Sequence, residues 1–532
     1  MAALRRLLPS APTGRFVPVG DQRADVLQPP TDVAPHEIER SVKRGAAWAL
    51  GSQIATQALR LVGVAVLARL LTPDDYGAAA LAVTIASFSM ILGDLGYGSA
   101  LVQASTASQR RASTAFWCAL GAGVVCSGCV ALGAYPASLA LDDPEVTALA
   151  AVGGMTLLLV ALGSTSNALL TRAMNFGVIQ SASMIAWLVA TPCAIVAAAV
   201  GAGAWALVVQ QVVLAAVMSA CLIVPARWRP SLQFSRADLR SLTRFAMPYT
   251  GASAFFLLQQ VVTVLLVGHF VGIEALGIWN LSMAIVFVPL SLLAYPVSRV
   301  IYAAFARMRD SQERVAEMWL KGFTLLAAVM LPALFVLIAV APDVVPVAFG
   351  SQWRPAVPVV QILCVLVMSR TLQTWNEAVM DAAGKPHVAM LLTGSVLVAL
   401  LPSIWLGSAF GIEGVAVAYC VASLICGELP SFVLTTRELS LKGLSVLRCL
   451  RGIVPACAAA CIAVVFVRQG LEDLGLLIEP RILLSVAVGV AVYVLCLTLF
   501  ARSVARQLLG IASPLLAKIR HRSGGTREPE SH

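Results

Sequence analysis

The chain has 532 residues, of which 59% are hydrophobic and only 12% are charged, and its mean hydropathy is +0.86. A soluble protein of this length needs about a quarter of its residues charged to cover its surface, so this composition excludes a soluble globular enzyme. The net charge of +10 does not indicate nucleic-acid binding, because the basic residues lie between apolar runs and not in a nucleic-acid-binding motif.

The two ends of the chain differ from the rest. Residues 1–40 are rich in proline and contain no apolar segment of signal-peptide length, which predicts a disordered cytoplasmic tail. Residues 511–532 form a basic end, and we expect a second cytoplasmic tail there.

Between these tails lie apolar stretches that are long enough to cross the ~30 Å hydrocarbon core of a bilayer as helices. They predict an all-α integral membrane protein with about fourteen transmembrane helices. Very short turns, at Gly201–Gly203 and Phe410–Gly411, separate two of the pairs. The predicted spans are 45–70, 76–102, 112–134, 146–170, 178–200, 203–224, 245–269, 275–299, 320–341, 356–381, 387–408, 411–434, 449–468 and 482–501.

The distribution of lysine and arginine predicts the orientation. Cytoplasmic loops carry an excess of basic residues, and here most of the 37 lysines and arginines fall in alternate loops. This alternation predicts that both termini are cytoplasmic. The main basic residues on the predicted outer side are Arg354, Arg468 and Arg481.

The two halves of the chain resemble each other. The segment Arg69–Gly77 aligns with His269–Gly277 at a shift of 200 residues, and Gly201–Ala206 aligns with Gly411–Ala416 at a shift of 210. A repeat of six helices returns to the same side of the membrane, so both copies enter the bilayer in the same direction. Transporters with such parallel repeats bind their substrate between two lobes. The predicted parts are an N-terminal lobe (41–224), a connector (225–244), a C-terminal lobe (245–434) and an appended helix pair (435–510).

The connector alternates arginine with apolar residues between Arg227 and Arg244. This pattern predicts an interfacial helix on the inner leaflet, where anionic lipids attract basic side chains.

Ionisable side chains at membrane depth are costly unless they face protein or water, so each is a candidate functional residue. A guanidinium binds phosphate through paired hydrogen bonds, and an anionic substrate would therefore need such groups. The alternative interpretation is that Arg60 pairs with a buried acid or reaches the interface, and that Arg69 is an interfacial anchor. The candidates for substrate binding are Arg60, Arg370, Arg69, His269, Gln53, Gln57 and Gln373.

Three acids also lie within predicted spans: Asp94, Glu377 and Asp381. Each could bind a coupling proton or sodium ion, or could instead form a salt bridge with an arginine. Arg370 and Glu377 are seven residues apart, which places them on one helix face together with Gln373 and Asn376. Such a polar stripe is more typical of a helix face that lines water than of one that faces lipid.

The sequence contains no signature of an enzyme. The acids Asp142, Asp143 and Glu145 resemble a metal-binding cluster, but they lie on a short predicted turn without a partner base. There is no Walker A motif, zinc-protease motif, nucleophile elbow or dinucleotide fingerprint. The cysteines lie almost entirely in apolar runs, which indicates helix packing. We therefore expect a transporter without a cofactor or metal ion.

Several segments resemble polysaccharide flippases of the O-antigen and colanic acid (Wzx) type, which belong to the multidrug/oligosaccharidyl-lipid/polysaccharide (MOP) exporter superfamily. They are Arg44–Trp48, Leu67–Gly77, Asp94–Gln103, Leu170–Phe176 and Gly201–Leu207. The resemblance covers nearly the whole membrane region and is most specific in its first hundred residues. The long proline-rich N-terminal segment and the basic C-terminal segment depart from the compact family pattern.

The resemblance implies a fourteen-helix, two-lobed flippase that moves undecaprenyl-pyrophosphate-linked oligosaccharide across the inner membrane by alternating access. It also implies a cationic central cavity, which agrees with Arg60 and Arg370 as candidates. Membrane lipids, a glycan polymerase and glycosyltransferases are the expected partners. A multidrug or small-molecule exporter of the same superfamily is the second hypothesis, and a membrane enzyme acting on the same glycans is the third.

Overall fold

The structure is a computed structural model that describes residues 35–94, 97–103, 108–141, 145–173, 175–291, 312–382, 386–441, 443–474, 477–502 and 504–506. These residues contain helices and no β-strand. In chain order the helices are α1 (Pro35–Leu70), α2 (Pro73–Asp94), α3 (Tyr97–Gln103), α4 (Gln109–Leu141), α5 (Glu145–Arg172), α6 (Phe176–Ala199), α7 (Trp205–Ala226), α8 (Arg236–Phe270), α9 (Ile273–Pro289), α10 (Gln312–Phe349), α11 (Ala356–Ala382), α12 (Pro386–Ser408), α13 (Gly411–Ser423), α14 (Leu429–Glu438), α15 (Gly443–Leu450), α16 (Ile453–Asp473) and α17 (Ile478–Phe500).

Each of the fourteen predicted spans overlaps at least one of these helices. Eleven spans among the described residues are long and apolar enough to cross a membrane. The prediction of an all-α, multi-pass membrane protein is therefore confirmed, while the count of fourteen spans stays a prediction. The short turns also lie where the sequence placed them. Gly201, Gly203 and Gly411 have φ angles of +83°, +53° and +70°, which only glycine adopts at little cost.

The chain packs as two compact units. One comprises the described parts of Met1–Leu281 together with Leu397–Val415, and the other comprises those of Ser282–Val396 and Ala416–His532. The predicted lobes, connector and appended pair remain predictions.

In the first unit, the turn between α1 and α2 is held by side-chain capping. The backbone nitrogen of Thr72 donates to Asp75 Oδ2 (2.9 Å), and the backbone nitrogen of Asp75 donates to Thr72 Oγ1 (3.2 Å). This reciprocal cap satisfies N–H groups that the first turn of a helix leaves free, and Pro73 suits a first helical position because it has no N–H. The Thr-Pro-Asp-Asp part of the motif that carries the family resemblance therefore has a structural role.

The connector between α7 and α8 differs from the expectation. Residues 227–235 are not helical, so the prediction of a helix across the whole connector is wrong for its first half. The reason is a set of hydrogen bonds to the start of α4. Trp228 is buried and donates to Gln109 Oε1 (2.8 Å), and Trp117 Nε1 donates to the carbonyl oxygen of Ser231 (2.8 Å). Helix α8 begins only at Arg236, capped by Ser235.

In the second unit, a buried ion pair joins α10 to α17. Arg481 Nη2 lies 2.6 Å from Asp343 Oδ1, and both side chains are less than a tenth exposed. Arg468 on α16 lies 3.6 Å from the same carboxylate oxygen. Two of the three main arginines on the predicted outer side, Arg468 and Arg481, are therefore paired with an acid. This pairing accounts for their position there.

Candidate functional site

The polar candidates of the first unit lie where α1 packs against α6. Gln180 Nε2 on α6 donates to Gln53 Oε1 on α1 at 2.6 Å. One turn along α1, Arg60 Nη1 donates to the oxygen of the buried Gln57 at 3.2 Å. The Arg60 guanidinium also lies 5.1 Å from the ring centroid of Trp187 on α6. The structure thus joins three predicted residues, Gln53, Gln57 and Arg60, in one polar face.

The surroundings of Arg60 are suited to an anion. Among the described residues Arg60 forms no ion pair with an acid, so the alternative of a buried acidic partner is not observed there. A guanidinium has five N–H donors, and the bond to Gln57 uses one of them. The Trp187 ring stabilises the positive charge without neutralising it. This arrangement keeps a fixed cation that can hydrogen-bond to an anionic group.

The candidates of the second unit lie on α11. Arg370 and Glu377 are half-buried, whereas Gln373 and Asn376 are buried. The side-chain oxygens of Gln373 and Asn376 have no hydrogen-bond partner among the described residues. Helix α11 packs against α14 and against a π-helical segment, Leu424–Glu428, that joins α13 to α14.

The helix that packs on α11 presents a polar face to the protein. Its exposed side is apolar, with Ile425 at 58% and Leu429 at 50% exposure. The protein-facing side carries polar residues that are all buried: Ser423, Glu428, Ser431, Thr435 and Thr436. A soluble helix has the opposite arrangement, with its polar side exposed. This helix therefore presents a polar face to the interior of the second unit and an apolar face to its surface, as expected for a membrane helix whose polar residues face protein or water.

The remaining candidates do not join these two clusters in the described structure. Arg69 and His269 are exposed and lie in the last turns of α1 and α8, at equivalent positions of the proposed repeat. The side chains of Asp94 and Asp381 lie outside the described residues, as do Asp142 and Asp143. Within the described part of the chain, no group of three or more metal-ligating side chains comes together.

A family described as "Polysaccharide biosynthesis protein" matches residues 66–358, which is more than half of the chain. The chain belongs to this family. The match begins in the last turn of α1 and ends at the start of α11, so Arg60 and Arg370 lie just outside it.

Curated relatives of this polysaccharide biosynthesis protein align over more of its length. The succinoglycan biosynthesis transport protein ExoT of Rhizobium meliloti is 26% identical over 89% of this chain and 96% of its own. The lipopolysaccharide biosynthesis protein WzxC of Escherichia coli is 25% identical over 73% of this chain and 80% of its own. The teichuronic acid biosynthesis protein TuaB of Bacillus subtilis is 23% identical over 86% of this chain and 96% of its own.

Solved structures agree on the fold. The lipid II flippase MurJ, in an inward closed conformation, aligns with a TM-score of 0.66 at 14% identity, over 85% of this chain and 98% of its own. An inward-facing multidrug resistance MATE transporter of the MOP superfamily aligns with a TM-score of 0.55 at 13% identity, over 74% and 98%. The polysaccharide biosynthesis protein thus has the fold of a multi-helix membrane transporter.

Three residues near these candidates were missed by reasoning from the sequence of the polysaccharide biosynthesis protein. Gln180 and Trp187 are seven residues apart on α6, a spacing that places them on one face, but only the structure shows that this face meets α1. Glu428 carried a readable signal, because it is an acid within an apolar span. Glu377 was selected because it is an ionisable residue within a predicted span, and the same reasoning applies to Glu428.

Proposed function

We propose that this chain is a flippase that moves an undecaprenyl-pyrophosphate-linked oligosaccharide across the inner membrane by alternating access. The observation that carries this proposal is the pair of arginines within membrane helices, Arg60 and Arg370, each on a polar helix face in a polysaccharide biosynthesis protein. The diphosphate is the part of such a lipid that needs cations, and guanidinium groups match its geometry.

The relatives support this choice of substrate. ExoT is a transport protein of succinoglycan biosynthesis, and MurJ is a flippase of lipid II. A drug exporter of the same superfamily shares the fold, but the family and the three curated relatives all belong to polysaccharide biosynthesis. The flippase is therefore the better-supported function.

We place both termini in the cytoplasm, on the basis of the alternating basic loops. The substrate is assembled on the inner side of the membrane, so glycosyltransferases precede this step and a glycan polymerase follows it. Membrane lipids surround the apolar faces. No nucleic acid takes part.

The experiment is complementation of a strain that lacks this chain, with lipid-linked oligosaccharide quantified on each side of the inner membrane. The wild-type chain should restore outward transfer, whereas Arg60→Ala and Arg370→Ala should leave the intermediate on the inner side. Arg354→Ala is the matched control, since Arg354 is an exposed arginine on a predicted outer turn. A deletion strain that transfers the intermediate normally but loses drug resistance would contradict the proposal and favour the exporter.

A further inference from the structure

Glu428 lies at an irregular point of a membrane helix. It is the last residue of the π-helical segment Leu424–Glu428, and the backbone nitrogen of Leu429 donates to the carbonyl oxygen of Leu424. π-helical turns are rare and are frequently found at functional sites. The Glu428 side chain is 6% exposed, and neither of its carboxyl oxygens has a hydrogen-bond partner among the described residues.

The extra residue of the π turn decides which way Glu428 faces. In a regular α-helix each residue turns by about 100°, so that Gly427 would lie closest to the buried face of Ser423. One additional residue in the turn rotates the side chains that follow it around the helix axis by about 100°. Glu428 then joins the buried polar face with Ser431 and Thr435, away from the exposed Ile425. The π turn therefore places an acid on the buried polar face of this helix.

Among the described residues, the groups that interact with Glu428 are a cation and a thiol. Arg370 on α11 acts on it electrostatically, and Cys420 on its own helix is a second ionisable group that senses its charge. Helix α11 also carries Cys364 and the half-buried Glu377. Helices α12 and α10 approach through Val396 and Trp319, which do not ionise.

Most of the buried side-chain polar atoms that lack a hydrogen-bond partner among the described residues of this region are oxygens. They belong to Gln373, Asn376, Ser423, Glu428 and Thr435, and the exception is the indole nitrogen of Trp319. A buried carboxylate without hydrogen bonds is costly, and its cost is removed by a proton or offset by a nearby cation such as Arg370. A change in the charge around Arg370 should therefore change the protonation of Glu428.

We propose that Glu428 is a proton-binding site that takes up one proton when the diphosphate of the substrate binds at Arg370. This inference rests on the proposed function, because it assigns the diphosphate to Arg370. Before binding, the Glu428 carboxylate offsets the charge of Arg370. As the diphosphate takes over that role, a proton from solvent binds a carboxyl oxygen of Glu428 and gives a neutral acid. No other covalent bond forms or breaks, and the proton returns to solvent when the substrate leaves.

Proton uptake limits the charge that the site must hold. Without it, a diphosphate and a carboxylate would share one guanidinium in a buried region, and like charges repel strongly there. The diphosphate carries more than one negative charge, so the complex stays anionic after one proton has bound. A membrane potential that is negative inside still favours its outward movement.

The test measures proton uptake by the full-length chain in lipid nanodiscs, with farnesyl diphosphate as the probe. Calorimetric titrations in buffers of different ionisation enthalpy, between pH 5.5 and 8.5, give the number of protons bound per probe. We expect the wild type to take up about one proton more than Glu428→Gln. On the alkaline side its affinity should fall about tenfold per pH unit relative to Glu428→Gln. Glu413→Gln, an exposed glutamate of the same predicted span, should behave as the wild type.

Equal proton uptake by the wild type and Glu428→Gln would overturn the role of Glu428 and leave the proposed function intact. If the wild type binds the probe at no pH, the proposed function is wrong and this inference falls with it. Should Glu428→Gln fail to fold, infrared difference spectra of the wild type give the answer instead. Probe binding should then produce a protonated carboxyl band that shifts in Glu428→Asp, and the absence of that band would overturn the inference.

Discussion

Gly77 and Gly277 are related by a reciprocal backbone contact. Gly77 lies in the first turns of α2 against the carbonyl group of Ile273, the first residue of α9. Gly277 lies in the first turns of α9 against the carbonyl group of Pro73, the first residue of α2. Both glycines and both carbonyls are 200 residues apart. The contact is thus nearly two-fold symmetric, which supports the duplication proposed from the sequence.

Alanine at either glycine should disrupt this contact. The β-carbon of alanine at Gly77 would overlap the Ile273 carbonyl group, and one at Gly277 would lie 3.1 Å from the backbone nitrogen of Gly77. The helices would have to separate, at a cost of about 1–3 kcal/mol. We expect Gly77→Ala and Gly277→Ala to lower the melting temperature and to reduce outward transfer of lipid-linked oligosaccharide by about tenfold or more.

Gly121 is the control for this prediction, because open space surrounds the β-carbon of an alanine there. Gly121→Ala should be neutral or slightly stabilising, since alanine favours a helix interior over glycine by about 1 kcal/mol. Wild-type stability and transfer in both Gly77→Ala and Gly277→Ala would show that the two helix ends do not need to touch.

The sequence predicted helices well because their signals are local. Hydrophobic runs located the spans, and the glycines of the short turns ended them at the expected places. Contacts between distant segments were not readable in this way. The basic and aromatic connector suggested a helix on lipid, but Trp228 and Ser231 instead hydrogen-bond to residues of α4 that lie more than a hundred positions earlier.

The candidate site was predicted only in part, because it combines local contacts with contacts between distant segments. Arg60 and Gln57 were found as neighbours on one helix face, and the structure joins them. Trp187, by contrast, becomes a neighbour of Arg60 only through packing of α6 on α1. The direction in which the Glu428 side chain points depends on a π turn, and the periodicity of the sequence does not predict such a turn.

The contact between Arg60 and Trp187 predicts a graded effect on anion binding. Trp187→Leu removes the ring face but keeps an apolar side chain, and a cation–π contact contributes about 0.5–2 kcal/mol. If the ring holds the guanidinium in its binding position, the affinity for farnesyl diphosphate should fall by roughly two- to thirtyfold. Trp187→Phe, which retains an aromatic face, should lose less. Equal affinities of the wild type and Trp187→Leu would contradict a positioning role for the ring.

The buried pair of Asp343 and Arg481 predicts non-additive stability. Removing one partner leaves the other charge buried with only a longer contact, to Arg468 (3.6 Å from Asp343) or to Glu472 (3.5 Å from Arg481), so Asp343→Leu or Arg481→Met should each cost up to about 3–5 kcal/mol. The double variant removes both charges and should recover much of that loss. Thermal unfolding of the four proteins in detergent measures the coupling. If the loss of stability in the double variant equals the sum of the two single losses, the pair does not act as a unit. Arg468 would then be the group that compensates the charge of Asp343.

The final prediction concerns Asp238, which fixes the start of α8 against α4. Arg110 Nε and Arg111 Nε lie 2.9 Å and 3.4 Å from its two carboxyl oxygens. Partial burial raises the pKa of this carboxyl, but hydrogen bonds from Ser235 and Arg110 and the charges of both arginines outweigh that effect, so the pKa is below its usual value. The stabilisation is therefore present at neutral pH and is lost as the pH falls through this lowered pKa.

Hydrogen exchange of residues 227–243 within the connector measures this stabilisation. At neutral pH, Asp238→Asn should exchange about tenfold faster or more than the wild type, because a hydrogen bond to a charged group contributes about 1.5–3 kcal/mol. Glu317→Gln is the matched control: it breaks an ion pair with Lys321 in which both side chains are exposed, and such pairs contribute little. Wild-type protection of the connector in Asp238→Asn would mean that the hydrogen bonds of Trp117 and Trp228 to this segment suffice to hold it.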